Sequence, residues 1–497
     1  MTITSLWFAL FCGLAILIYW RLPARYRIPW LFAISIIFLL TWSWELTGIL
    51  LVVATVNFLL GSRLGVAEKQ RRFLLWIGVA FNIISLVGLK YSNFYVVGLA
   101  QLLVRFGFHT ASGGLALLVP IGLSFTTVQM ISYLVDIHNK NLKPESTWLS
   151  FATYVIYFPK LLSGPVERVR TLLPAMKQPK SLEIVSAERY AWLIVLGLIR
   201  KLVLADTIAS MIPVNLFTQP GSYPAIELLV CLLGYAFVIY NDFAGYSNIV
   251  RGVSGYFGIE LTNNFKLPYF SRNFTEFWGR WHVSLSNWLR DYIFFPSSRA
   301  LLKRNPNRDA IIYLVLPPLL TMLVSGMWHG LGWNFLVWGG LHGIYLVFER
   351  VTTLRSPKRL PDEWPKWRQF LSTLGIFVLV ILAWIPFRMD LATAWQYLTR
   401  VLTPSAWIRP DFWLMRMFLI GKVKINNWTE FKLPDLRILI MLLPALLLDW
   451  TQSRYKDEVF FTRWPIWAKA LFVALLTLVL SLLSLSSTGA SFVYQGF

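Results

Sequence analysis

Residues 3–20, ITSLWFALFCGLAILIYW, form an apolar run of about the length that crosses a bilayer as a helix. No Lys or Arg precedes it, and RLPARYR follows with Arg21, Arg25 and Arg27. A cleavable secretory signal has the opposite order, with positive charge first and small residues last. The run therefore reads as an uncleaved first span, with the N-terminus outside and the first loop in the cytoplasm, where basic loops are retained.

Comparable segments recur along the chain, near 28–44, 47–61, 74–89, 94–106, 115–136, 149–163, 188–205, 225–241, 311–328, 332–349, 370–387, 435–449 and 466–487. Several are short or broken by Pro and Gly, so the expectation is an all-α polytopic membrane protein with roughly ten to twelve spans plus re-entrant and interfacial helices. Composition agrees. Hydrophobic residues make up 57% of the 497 and charged residues only 14%, against about 25% charged in soluble domains. A soluble enzyme, a disordered tail and a fibrous repeat are excluded. The net charge of +22 fits basic cytoplasmic loops facing anionic headgroups, since no soluble basic face for nucleic acid is visible. Basic stretches fall at 62–73, 160–180, 299–308 and 355–368, and 403–433 reads as a Trp-rich interfacial excursion. Two cysteines, Cys12 and Cys231, exclude a disulfide framework and a Cys-based metal site.

The composition changes over 241–343. In NDFAGYSNIVRGVSGYFGIELTNNFKLPYFSRN, residues 241–273, Gly245, Gly252, Gly255 and Gly258 with Pro268 argue against a continuous spanning helix. Re-entrant backbone lining a site is expected, with a surface loop as the alternative. Residues 274–296, FTEFWGRWHVSLSNWLRDYIFFP, read as one amphipathic helix with Phe277, Trp281, Trp288 and Tyr292 on one side and Glu276, Arg280, Ser284 and Asn287 on another. His282 then fixes that helix by a hydrogen bond, a structural role.

His329 lies between Trp328 and Gly330 in an apolar stretch with no carboxylate nearby in sequence. An ionisable group at membrane depth points to function by default. A neutral imidazole there can take a proton from a hydroxyl, while Gly326, Gly330 and Gly332 admit close approach of backbone or ligand. A histidine joining two packed helices is the competing reading. His342, 13 residues on, falls about 220° around an ideal helix from His329, which disfavours a metal pair and leaves His342 a structural role. His109 and His138 receive no assignment. Ser124, Thr126, Gln129 and Asp136 suit interhelical hydrogen bonding, and SGPVER at 163–168 suits a helix stop followed by a cytoplasmic turn; a direct catalytic role is the alternative for each.

Taken together, PIGLSF (120–125), SGPVERV (163–169), DFAGYS (242–247), NFKLPYFSRNFTEFWGRWHVSLSNWLRDY (264–292), GMWHG (326–330) and FVYQGF (492–497) resemble the membrane-bound O-acyltransferases, in the bacterial branch that includes alginate O-acetyltransferase. The resemblance implies a single membrane domain over 1–497, with N-terminal spans in 1–110, a catalytic core in 115–350 and C-terminal spans in 370–497, around a central funnel or tunnel. It implies His329 as the essential histidine and His282 as a second, supporting one. Asp242, Tyr246, Asn264, Glu276, Trp281 and Arg290 match motif positions near the cavity, and Trp328 joins them as a tunnel-wall candidate. Gly279 and Asn248 depart from the usual basic residue and Asp.

The activity so implied is acetyl transfer from a cytoplasmic thioester, acetyl-CoA or a carrier thioester, to an extracytoplasmic polysaccharide or cell-wall glycan. It needs no permanently bound cofactor and no metal, and it works with a periplasmic or extracellular acetyltransferase partner at the bacterial cytoplasmic membrane. D-alanyl transfer to teichoic acid is the nearest alternative. A transporter of lipid-linked sugars is a second, weakened by the absence of paired repeats.

Overall fold

The computed structural model describes residues 1–90, 122–304, 306, 310–355, 361–407 and 434–486. The expected span at 94–106, the start of that at 115–136, His109, most of 403–433, Lys358 and FVYQGF lie outside the described residues. Those described form helices and no strands, as apolar backbone in lipid must satisfy its hydrogen bonds within one segment. Among the described residues, five helices are long and apolar enough to cross a membrane, 44–66, 71–90, 225–256, 311–329 and 366–388, with two shorter apolar helices at 6–21 and 466–482. Polar caps start two of them: Ser43 Oγ accepts from Leu46 N at 3.0 Å, and Ser5 Oγ accepts from Phe8 N at 3.2 Å.

The chain forms two compact units, one of residues 1–194 with 246–263, the other of 195–245 with 264–497. In the first, α1 (Leu6–Arg21), α2 (Ala24–Leu40), α3 (Trp44–Val66), α4 (Arg71–Lys90) and α5 (Leu123–His138) supply the long elements. Asn57 of α3 and Asn82 of α4 exchange side-chain amide hydrogen bonds at 3.1 and 2.8 Å. Such a pair locks register between two otherwise apolar helices.

The same unit corrects one expectation. Residues 157–169 are buried throughout, so although the helix does stop at Leu161, SGPVER is not an exposed loop, and Lys160 does not begin a basic one. Lys160 Nζ donates to Gln129 Oε1 at 2.6 Å and lies over the Tyr154 ring at 4.6 Å. The Glu167 carboxylate accepts from Thr262 N at 2.6 Å. Gln129 does make the expected hydrogen bond between segments.

A second correction concerns 241–273. α6 (Ala225–Tyr256) is one continuous 32-residue helix, running through Gly245, Gly252 and Gly255. The glycines serve close packing instead of breaking the helix. A Cβ on Gly245 would lie 2.8 Å from Gly197 O and Lys201 N, and one on Gly252 2.7 Å from Tyr190 O. Each interior glycine costs the helix about 1 kcal/mol in propensity, which close contact along a buried helix offsets. Irregular backbone begins only after Tyr256, with Gly258 at φ 74°.

The third correction is the segment 274–296, which is not one helix. It divides into α7 (Phe274–Trp278), α8 (Val283–Leu289), a π-helical turn at Arg290–Phe294 and α9 (Phe295–Arg304). The second unit continues through α10 (Ile311–His329), α11 (Trp333–Arg355), α12 (Lys366–Arg388) and α13 (Pro434–Tyr455). α10 and α11 are packed backbone to backbone. A Cβ on Gly326 would lie 2.3 Å from Phe335 O, and one on Gly339 2.4 Å from Met322 O.

Candidate active site

The second unit gathers both singled-out histidines around Trp328. His329 is the last residue of α10, and Gly330 ends the helix with extended backbone at φ −173°. The break at Gly330–Gly332 places His329 and His342 on different helices, so the single-helix arithmetic does not apply to them. The His329 ring is caged edge-on by Trp328, Trp338 and Phe387, at centroid distances of 4.9, 5.1 and 5.1 Å. Unpaired carbonyls at a helix C-terminus favour a cation nearby. His329 thus sits at the carbonyl end of α10.

His282 ends the break between α7 and α8. Its backbone is left-handed, φ 42° and ψ 52°, a conformation that strains most residues and in which His is among the tolerated few. That turn is why the segment cannot be one amphipathic helix. The His282 ring meets Trp328 at 6.1 Å and Phe243 of α6 at 4.8 Å. Trp328 thus has an imidazole on either side, His329 beside it in sequence and His282 from another segment.

Asn264 builds this corner. Its carbonyl accepts from Val283 N at 3.0 Å and its side-chain Oδ1 from Ser284 N at 3.1 Å, while Nδ2 is buried with no acceptor among the described residues. Trp281 is buried in an aromatic cluster with Phe265 and Trp384, at 5.1 Å from each. Asp242, on the same helix as Phe243, accepts a salt bridge from Lys201 at 2.7 Å, and Lys201 also pairs with Asp206 at 2.8 Å.

Other candidates are placed elsewhere. Glu276 pairs with Arg272 at 3.1 Å and Arg280 at 2.5 Å, a charge network away from the caged ring. Partial burial pushes its carboxyl up, but hydrogen bonds from Arg272 and the charge of Arg280 outweigh this and hold it below its ordinary 4.5. Arg290 is exposed and bonded to Asp291 at 3.2 Å. Tyr246 belongs to the first unit, where its hydroxyl accepts from Ser163 N at 3.3 Å. Asn248, where the motif often has Asp, accepts from Arg251 at 3.2 Å.

Sequence reasoning missed Trp338 and the pair Arg200–Lys201. Trp338 stands between His329 and His342, whose rings lie 5.1 and 5.0 Å from it. His342 is buried, and both its ring nitrogens lack a hydrogen-bond partner among the described residues. Arg200 donates to Asp449 and Asn241, each at 2.6 Å, and to Gln452 at 2.9 Å. Two adjacent cations inside the apolar run 188–205 were the available signal, since intramembrane charge demands a partner.

Comparison with known proteins follows the same residues. The model of the membrane-bound O-acyltransferase family matches residues 36–387. The chain is 32% identical to a probable alginate O-acetylase of Azotobacter vinelandii, over 81% of this chain and 78% of that protein. It is 29% identical to the peptidoglycan O-acetyltransferase of Helicobacter pylori, over 78% of this chain and 76% of that one. It is 30% identical to the teichoic acid D-alanyltransferase of Streptococcus thermophilus, over 61% of this chain and 76% of that one.

Proposed function

This chain belongs to the membrane-bound O-acyltransferase family, and we propose that it moves an acetyl group from a cytoplasmic thioester, acetyl-CoA, to hydroxyls of an extracytoplasmic polysaccharide or cell-wall glycan, with His329 as general base. The family match favours acyl transfer over transport of lipid-linked sugars. The observation that carries the proposal is the position of His329: caged by aromatic rings that exclude water, at the C-terminal end of α10.

The chemistry follows from that position. The acceptor hydroxyl attacks the thioester carbonyl as its proton passes to the imidazole. The C–S bond then breaks, the thiolate leaves and takes the proton back, and an O-acetyl ester has formed. Proton transfer of this kind contributes about 10²–10⁴-fold, and the helix terminus supports the imidazolium in between. His282, through Trp328, supports the site, and Asp242, Asn264 and Trp281 are the other wall candidates of the same unit. The donor is a substrate, with no permanently bound cofactor required. The acceptor glycan and a periplasmic or extracellular acetyltransferase partner lie beyond the outer face of the bacterial cytoplasmic membrane, on the side of the N-terminus.

Radiolabelled acetyl-CoA with the purified protein in vesicles tests this. Label should reach protein or added glycan with the native chain and not with His329→Ala. Equal transfer by a well-folded His329→Ala chain removes the base. D-alanyl transfer from a carrier protein is the second reading, favoured by the Streptococcus thermophilus similarity. It gains if folded protein transfers D-alanine and not acetyl.

A further inference from the structure

The cage around His329 is closed. Trp328, Trp338 and Phe387 meet its ring edge-on, and the residue is 6% exposed. In so tightly packed an interior, reactants meet the imidazole only when one of those rings moves. Trp338 Nε1 is buried with no hydrogen-bond partner among the described residues, as are both ring nitrogens of His342. These orphaned groups are neighbours. Trp338 and His342 are four residues apart on α11, where side chains share a face, and their ring centroids lie 5.0 Å apart at 66°. An indole has one N–H donor and a neutral imidazole one acceptor nitrogen. The bond between them is unmade in this structure, the indole being set against His329 at 5.1 Å instead. A buried polar group without a partner costs free energy, and phenylalanine at 342 would fill the space without that cost.

The other two cage rings have no such exchange open to them. Phe387 carries no polar atom, and Trp328 is held between His329 and His282, whose rings lie at 4.9 and 6.1 Å. On its far side Trp338 has room. Trp278 lies 5.9 Å from Trp338 and 5.1 Å from His342, and it borders a cavity of about 380 Å³ formed by α7, α8, α10 and α11. Trp278 and Trp338 thus stand in series between that cavity and His329.

We propose that His342 is a positioning residue: it accepts the Trp338 indole N–H when that ring turns out of the cage, and so holds His329 open to its reactants. In the closed form the indole and the imidazole both go unpaired, and in the open form each satisfies the other. The open form gains one hydrogen bond in this way, with no contact between His342 and the reacting groups. The consequence for transfer rests on His329 as general base; the opening of the cage does not.

Diethylpyrocarbonate, which modifies accessible neutral imidazoles, reads the opening directly. Full-length protein in nanodiscs is treated with it, and label at His329 is followed by peptide mass spectrometry, with His138 of α5 as internal reference. His342→Phe, which keeps a ring and loses the acceptor, should slow labelling of His329 about fivefold, the net worth of one hydrogen bond, and leave His138 unchanged. His342→Gln, whose side-chain carbonyl accepts, should restore most of the native rate. In a Trp338→Phe background, which has no indole N–H to accept, His342→Phe should have no further effect. The unfolding temperature identifies any variant that has not folded, and it should not fall in His342→Phe, which removes an orphaned group. In transfer from acetyl-CoA the same variant should raise KM about fivefold with kcat nearly kept, because a less populated competent form lowers apparent affinity by that fraction. Equal labelling of His329 in the native and folded His342→Phe chains overturns the proposal, as does a His342→Phe effect that persists without the Trp338 N–H. Slower labelling with unchanged transfer supports the opening and removes His329 as the base.

Discussion

Asn264 holds the backbone that follows His282 at two points, through its carbonyl to Val283 N and its side chain to Ser284 N. A left-handed residue persists only when its surroundings over-determine it, and these two bonds, with Ser286 N to His282 O at 2.9 Å, do so. Asn264→Ala removes the side-chain acceptor and leaves a buried amide unpaired, at about 1–3 kcal/mol. The expected outcome is a lower unfolding temperature in detergent and a loss of acyl transfer larger than the stability loss explains.

His282 separates scaffold from chemistry by a pair of substitutions. Asn accepts left-handed backbone where Ala does so poorly, so His282→Asn should keep the native unfolding temperature and His282→Ala should lower it, the strain costing about 1–2 kcal/mol of stability. Partial transfer by both variants matches a supporting role. If folded His282→Asn is as inactive as His329→Ala, the imidazole of His282 takes part in the reaction.

Gly326→Ala should disturb His329 without touching it. The new Cβ would lie 2.3 Å from the Phe335 carbonyl oxygen, which is backbone and must move, at about 1–3 kcal/mol. The α10–α11 separation sets where His329 meets Trp338. Reduced transfer with near-normal membrane insertion is expected, and unchanged transfer would show that the cage tolerates a shift.

The buried ion pair Arg200–Asp449, 2.6 Å apart, should respond asymmetrically. Asp449→Ala strands a buried guanidinium and should cost about 3–5 kcal/mol. Arg200→Met combined with Asp449→Leu, which leaves neither charge, should recover most of that. Thermal unfolding of the single and double variants measures the difference.

Acid should weaken the corner formed by Arg272, Arg280 and Glu276. The Glu276 carboxyl lies below its ordinary 4.5 when folded, so its stabilisation is complete above that value and is lost as pH falls through the lower, folded one. Asp362, hydrogen-bonded and paired to Arg272 at 2.6 Å, is likewise held below its ordinary 3.8 and loses its contribution over a lower window. Glu276→Gln should flatten the stability curve below pH 4.5, measured as unfolding temperature against pH.

Much of the molecule is determined by the sequence alone. Apolar runs of bilayer length force helices, because lipid offers the backbone no other hydrogen-bond partner. The helices ending at His329 and beginning at Trp333 follow from the apolar runs on either side of Gly330–Gly332. The proposed role of His329 is also legible there, since an ionisable side chain in apolar surroundings is readable from the residues beside it.

Tertiary structure decided the rest. Glycine is ambiguous in one dimension, as the same residue breaks a helix or lets another backbone approach it. Only the neighbours Gly197, Lys201 and Tyr190 show that α6 continues. Helical periodicity across 274–296 was misleading because hydrogen bonds from Asn264, remote in sequence, impose the left-handed turn at His282. The meeting of His282 and His329 at Trp328, and of Arg200 with Asp449, joins segments that no spacing rule connects. Local sequence sets what each segment can hydrogen-bond within itself, whereas long-range packing alone selects which polar groups face one another.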